Sequence, residues 1–392
     1  MKSRLWTASY IFMIVLNILI CFSFYMIMTL LTSYITGIGG SVAAAGVIVG
    51  AFSITSLIVR PFTGFLTDEA DRRGLLIIGG IVVAISIVGY TMTANMAIIF
   101  LFRILHGIAF ALNSTAIIAL AGEVIPADRL GEGIGYIGLG NIIASAAGPG
   151  FGVMLTDRFG VRLTFAIAAL FSLAAAVLLM FYRKPERVVT GDTSSEEKPQ
   201  EKREHFSFNF RNLISWKVLD YSFVAGCYSI LNGVVGSFLV LFTAERGIPD
   251  VGLYFTVCAV FLFLARPLSG KIVDKKGLSC IIYPAIMMSV ISILMLIGAH
   301  SLTVLLVSAA LRSLAQGAIQ PSLQAACIKK TGVERSGVAT STYYLGCDVG
   351  QGIGPMIAGA IAMHHGYVGA FGFCIVMMAA GCVVYTVTRS RK

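Results

Sequence analysis

Twelve apolar runs, most of them about twenty residues long, leave this chain few folds to choose from. They lie near residues 8–31, 42–66, 75–93, 97–123, 134–156, 162–182, 216–243, 252–272, 279–298, 303–327, 337–362 and 368–388. A helix needs about 20 apolar residues to cross about 30 Å of hydrocarbon. No water satisfies backbone groups there, so each run is expected to be a helix. Charged residues make up only 12% of the chain, against about 25% in soluble domains. The expected fold class is therefore all-α integral membrane, with 12 transmembrane helices.

The runs fall into two sets of six. Arg60-Pro-Phe-Thr-Gly-Phe-Leu-Thr-Asp68 is nearly copied by Arg266-Pro-Leu-Ser-Gly-Lys-Ile-Val-Asp274, with 266 − 60 = 206 residues between them. The same offset carries Gly148-Pro149 onto Gly354-Pro355, and Arg129-Leu-Gly131 onto Arg335-Ser-Gly337. A duplicated helical bundle points to a transporter with its site between the halves. The expected division is 1–182, an N-terminal six-helix bundle; 183–215, a cytoplasmic linker; and 216–392, a C-terminal bundle. Charge and polarity mark 183–204 as a linker. Phe206, Phe208, Phe210 and Leu213 are expected along the membrane surface.

The net charge of +10 needs no nucleic-acid partner. With the N-terminus in the cytoplasm, only Arg158, Arg162 and Arg246 of the 29 Lys and Arg fall outside the cytoplasmic segments and the spans. The positive-inside rule then places both termini in the cytoplasm of a multi-pass protein in the bilayer of a cell membrane. The first run exceeds a signal-peptide core and is read as retained. The eight cysteines occur singly, without metal-ligand spacing, so neither disulfides nor a metal nor a cofactor is expected. A pump powered by nucleotide hydrolysis would need a phosphate-binding loop, and no such motif stands in the chain. Nothing suggests an enzyme.

Gly64-Phe-Leu-Thr-Asp68-Glu-Ala-Asp-Arg72-Arg73 resembles the loop 2–3 signature of the major facilitator superfamily. Gly64, Leu66, Asp68, Arg72 and Arg73 match it, while Asp71 stands where the family has glycine. Phe102-Arg103-Ile-Leu-His106-Gly107 is similar to the family's helix 4 motif. Gly148-Pro149-Gly-Phe-Gly152 is similar to the helix 5 motif of exporters and antiporters. The resemblance covers the whole chain and is nearest to the bacterial twelve-span drug and sugar (arabinose-type) efflux branch. It implies two pseudo-symmetric six-helix bundles, alternating access and a cavity lined by spans 1, 4, 7 and 10. It also implies a cytoplasmic gate in which Asp68 faces the start of span 11 near Gly337, with Arg129 close by.

The side chains supply candidates for the site. An ionisable group inside the membrane is costly and marks function. Asp348 lies deep in span 11, with Tyr344 and Gln351 on its face, and is the leading proton carrier. His106, alone well inside a span, is a second. Cavity candidates are Asn17 and Tyr25 in span 1, Arg103 and Asn113 in span 4, Asn141 in span 5, Tyr228 and Asn232 in span 7, and Arg312, Gln316 and Gln320 in span 10. Gly148, Pro149, Gly152, Gly354 and Pro355 are read as close-packing or flexible positions. Arg60 and Arg266 are read as architectural, snorkelling to the cytoplasmic interface. The first copy of the repeat, with its arginine pair, is expected to be the working latch.

The leading expectation is a proton-coupled antiporter that exports a small organic molecule as a monomer. A proton symporter importing a sugar or carboxylate is the alternative. A membrane receptor without coupled transport is the reading from a different class.

Overall fold

The computed structural model describes residues 3–28, 30–182 and 213–390. The linker expected over 183–215 lies mostly outside them, as do Phe206, Phe208 and Phe210. The described residues are helical: α1 (Ala8–Met28), α2 (Leu30–Gly37), α3 (Val42–Glu69), α4 (Arg72–Thr91), α5 (Met96–Val124), α6 (Leu130–Phe159), α7 (Val161–Phe181), α8 (Leu219–Glu245), α9 (Gly252–Lys276), α10 (Ser279–Ile297), α11 (Leu302–Thr331) and α12 (Ser336–Ser390). Helices α1 and α2 make the first span. Eleven stretches are long and apolar enough to cross a membrane.

The last of these stretches holds two crossings. At 1.5 Å per residue, the 55 residues of α12 would reach about 80 Å if straight. Gly366 breaks it, with φ 65°, a conformation that glycine adopts at no steric cost. The two arms fold back on one another. Thr342 in the first arm meets Ser222, and Tyr385 in the second stacks near Tyr221, both partners lying at the start of α8. Tyr367, at the bend, packs against Phe242 at the other end of α8. Twelve crossings result, six per half.

Glycine sets the packing within each half. A Cβ on Gly148 would lie 2.9 Å from Cβ of Tyr25, and one on Gly152 would lie 3.2 Å from Leu30. The Gly-Pro stretch of α6 thus lies against α1 and α2. Likewise a Cβ on Gly354 would sit 2.9 Å from Cα of Ile230, and one on Gly233 would sit 2.9 Å from the Pro355 ring. Both glycine stripes join helices of the same half, where close approach replaces the hydrophobic effect as the source of attraction. Neither forms the seam between halves.

That seam is made elsewhere. Helix α3 crosses to the first arm of α12, and α9 of the second half crosses to α6. Pro61 and Pro267 do not end their helices. Helix α3 runs on to Glu69 and α9 to Lys276. Arg60 therefore lies 69 − 60 = 9 positions inside its helix end, roughly 13 Å. Ser3 and Asp128 are hydrogen-bonded, as are Arg389 and Ser279, so the first and last described residues lie on the face that carries the α3–α4 and α9–α10 turns. We call it the termini face.

A candidate transport site between the two halves

Two latches close the termini face. In the first, Asp68 at the end of α3 accepts hydrogen bonds from the backbone N–H of Gly337 at 2.6 Å and of Val338 at 2.8 Å. These are orphan donors of the first turn of α12, so the carboxylate caps a helix N-terminus across the seam. Arg72 holds the capping acid. Its guanidinium donates to Asp68 at 3.2 Å, to Glu123 at 3.0 Å and to the Val333 carbonyl at 3.0 Å. Gly64 and Gly337 let the backbones meet, since a Cβ on Gly337 would come within 2.6 Å of the Gly64 carbonyl oxygen.

The second latch is the same device. Asp274 at the end of α9 accepts from the N–H of Gly131 at 3.0 Å and of Glu132 at 2.9 Å, capping α6. Lys329 stands 2.6 Å from it. The first copy was expected to be the working latch, but the geometry does not set it apart: a lysine from α11 stands against the capping acid in one half as Arg72 does in the other. Arg129 does not join Asp68. It bonds Glu132 at 2.7 Å and the Ser3 carbonyl at 3.0 Å, beside the second latch. Arg73 leaves the seam, donating to the Leu179 and Met180 carbonyls at the end of α7. Asp71 is explained as well. It caps α4, accepting from Gly74 N–H at 2.9 Å, whereas its counterpart Gly277 ends α9 at φ 84°. Leu213 is no surface residue. It is buried against Phe65 and Val338, next to the first latch.

Behind the latches the halves enclose a cavity with two adjoining lobes. The inner lobe, about 300 Å³, is lined by Asn17, Tyr25, Arg60, Ser114, Arg266 and Asp348 among others. The second lobe, about 780 Å³, is lined by Asn232, Arg312, Gln316 and Ser145 and extends to Phe255 and Thr256 in the first turns of α9. Tyr25, Asn141, Arg266, Gln320 and Gln351 line both. The cavity thus widens away from the termini face.

Arg60 is the residue that sequence reasoning misplaced most. Its Nε donates to Asp348 Oδ2 at 2.7 Å, and the guanidinium also donates to Ser114 at 2.5 Å and lies 4.6 Å over the Tyr344 ring. A snorkelling arginine needs the interface within reach of its side chain; starting roughly 13 Å from the helix end, this one turns inward instead. It is 3% exposed, whereas the Asp348 side chain keeps 27% of its surface open to the cavity. Arg266 likewise lines the cavity, hydrogen-bonded to Gln320 at 3.4 Å. The available signal was in the repeat itself: an arginine that precedes Pro in both halves lies inside the helix in both.

Of the expected lining residues, Asn17, Tyr25, Asn141, Asn232, Arg312, Gln316, Gln320, Tyr344 and Gln351 meet the cavity with Asp348. Arg312 bonds Asn232 at 3.0 Å. Four do not. His106 is fully buried, its Nδ1 2.9 Å from the Tyr90 hydroxyl and its ring edge-on to Phe52. Arg103 lies 4.4 Å over the Phe52 ring on the same wall. Asn113 packs against Gly79, inside the first half. Tyr228 is buried and accepts from Ser289, away from the cavity. The helix faces carrying these four are rotated into their own bundles. Among the described residues no acid–histidine–cysteine cluster is placed to hold a metal.

Two bundles joined by a pair of latches, with a charged cavity between them, define a membrane transporter. The chain belongs to the Major Facilitator Superfamily, whose family model matches residues 13–302 and 281–392. It is similar to the multi-drug resistance efflux pump PmrA of Streptococcus pneumoniae, with 25% identity over 88% of this chain and 87% of that one. Multidrug resistance protein 2 of Bacillus subtilis is 25% identical over 92% of this chain and 91% of its own. Among solved structures, FucP in the outward conformation superposes with a TM-score of 0.80 at 15% identity, over 99% of this chain and 100% of that one. The protein is a transporter, not an enzyme.

Proposed function

We propose that this protein is a proton-driven exporter of a small organic molecule, working by alternating access in the cell membrane of a bacterium, with both termini in the cytoplasm. The observation that carries the coupling is the Arg60–Asp348 pair, which ties α3 of one half to α12 of the other inside the cavity. A buried ion pair is costly to break by removing one charge, because the other stays unpaired. Protonation of Asp348 does that without removing an atom. With the pair charged and both latches made, the cavity faces away from the cytoplasm. A proton entering from that side reaches the exposed edge of Asp348 and loosens the tie, which is what lets the halves rock. One chain encloses the whole cavity, which supports action as a monomer. Export as the direction rests on the efflux pumps the chain is similar to and on the Gly148-Pro149 motif.

The test is a comparison of small molecules outside cells that overexpress the wild type or Asp348→Asn. We expect at least one compound to accumulate outside only with the wild type, and proton influx into proteoliposomes to drive its exit. Equal efflux from the variant would sink the coupling role.

A second reading, proton symport, is favoured by the charge of the cavity. Among the described lining residues Arg60, Arg266 and Arg312 face a single carboxylate, so a proton on Asp348 and a negatively charged substrate strengthen each other's binding. Cooperative binding moves both in one direction. A pH gradient imposed on vesicles separates the two, since exchange and co-transport drive the substrate oppositely.

A further inference from the structure

The two halves use equivalent arginines unequally. Adding 206 carries Arg60 to Arg266, Ser114 to Gln320, Gly138 to Tyr344 and Ile142 to Asp348. The structure obeys the first part of that correspondence. Arg60 donates to Ser114, and Arg266 donates to Gln320. The Arg60 guanidinium lies over the Tyr344 ring, and that of Arg266 lies on Gly138, whose missing side chain gives it room.

The last pair breaks it. Where Arg60 meets the Asp348 carboxylate at 2.7 Å, the corresponding position in the first half is Ile142, apolar and buried. Arg266 has no carboxylate partner among the described residues; its Nε has no hydrogen-bond partner and its bond to Gln320 is long, at 3.4 Å. Arg312, on the same cavity wall, is held by Asn232 and Cys258, neither of them a carboxylate. Three guanidiniums against one carboxylate leave the lining with a net charge of 3 − 1 = +2.

We infer that the transported molecule carries a carboxylate, and that this group docks on Arg266 in the place of the acid the first half lacks. The inference rests on the transport reading and not on its direction. A guanidinium fork matches a carboxylate with two parallel hydrogen bonds. Tyr25, Asn141 and Gln351 line both lobes around it and bring no competing charge. A cationic compound meets the reverse: the one carboxylate among the described lining residues is already held by Arg60, and two further arginines repel it.

The experiment is calorimetric titration of the purified full chain in detergent with a panel of monocarboxylates (benzoate, 4-phenylbutyrate, gluconate and lactate), each beside its primary amide. We expect at least one carboxylate to bind tenfold or more tightly than its amide, the scale of a charge-assisted bidentate contact. Arg266→Gln should erase that preference and Arg266→Lys should keep part of it. Ile142→Asp, which supplies the missing acid internally, should abolish carboxylate binding, and it decides the matter alone if Arg266→Gln does not fold. A panel in which no carboxylate exceeds its amide tenfold overturns the inference, as does a preference that survives Ile142→Asp. A carboxylate that binds by this pattern but never crosses proteoliposomes fails the transport reading and leaves the site standing. A neutral or cationic compound that is transported while no carboxylate binds does the opposite.

Discussion

Arg60 and Arg266 descend from the same position of a duplicated unit, yet one is neutralised and the other is not. Both precede proline, both lie deep in a helix that continues past it, and both reach the cavity. Asp348 makes the difference. The pair it forms with Arg60 joins the halves; the bare charge of Arg266 stays open to whatever enters. The latches show the contrary behaviour. There the two copies differ in sequence, Arg72 against Lys329, but converge on one geometry, a carboxylate capping a helix N-terminus of the other half. Symmetry is thus kept at the latches and broken in the cavity.

The comparison breaks most visibly at the Arg60–Asp348 pair. Asp348→Ala leaves Arg60 buried without its partner, which costs several kcal/mol when one member of a buried pair is removed. The Asp348 side chain keeps 27% of its surface exposed, which screens the pair, so about 2 kcal/mol is expected in thermal unfolding, with proton-driven flux reduced about a hundredfold or more. The double variant Arg60→Gln, Asp348→Asn should recover stability but not flux. Recovery of flux would separate the pair from coupling.

The latches come next. Asp68→Asn and Asp274→Asn each remove a charged cap worth about 1–2 kcal/mol in a partly buried setting. Each should lower transport about tenfold while leaving expression intact, and each should admit thiol reagents to a cysteine placed on α3 near Gly64. Equal effects support two working latches; an effect confined to Asp68 would restore the asymmetric expectation. A smaller loss is expected from Gly337→Ala and Gly131→Ala. Their Cβ atoms would lie 2.6 Å from the Gly64 carbonyl oxygen and 2.5 Å from Val273, as well as 2.7 Å and 3.0 Å from the capping oxygens of Asp68 and Asp274, so the seam must shift to admit them. The smallest change is assigned to His106→Asn. It loses one buried hydrogen bond, about 1 kcal/mol, and leaves the pH profile of transport unaltered. A shifted profile would return His106 to the coupling path.

Much of this was legible in the chain. Run lengths fixed the number of crossings, because the bilayer thickness and the helical rise are constants. The 206-residue offset revealed the duplication, and the motif around Asp68 located one latch. Leu213 was read wrongly because its place is set by partners distant in sequence, Phe65 and Val338. His106, Arg103, Asn113 and Tyr228 shared helix faces with true lining residues, but hydropathy in a membrane helix does not say which face turns to lipid, to the bundle or to water.

By itself, then, the sequence determined that this protein is twelve helices in two related halves with an acid in span 11. Periodicity, length and repetition are properties of a line of residues. Which charges meet was decided by tertiary structure alone. Arg60 and Asp348 are 288 positions apart and become partners only through the crossing of α3 over α12, whereas Arg266, against Gly138 of α6, meets no acid among the described residues. A pairing such as Arg60 with Asp348 is a relation between helix rotations, and no single helix contains it.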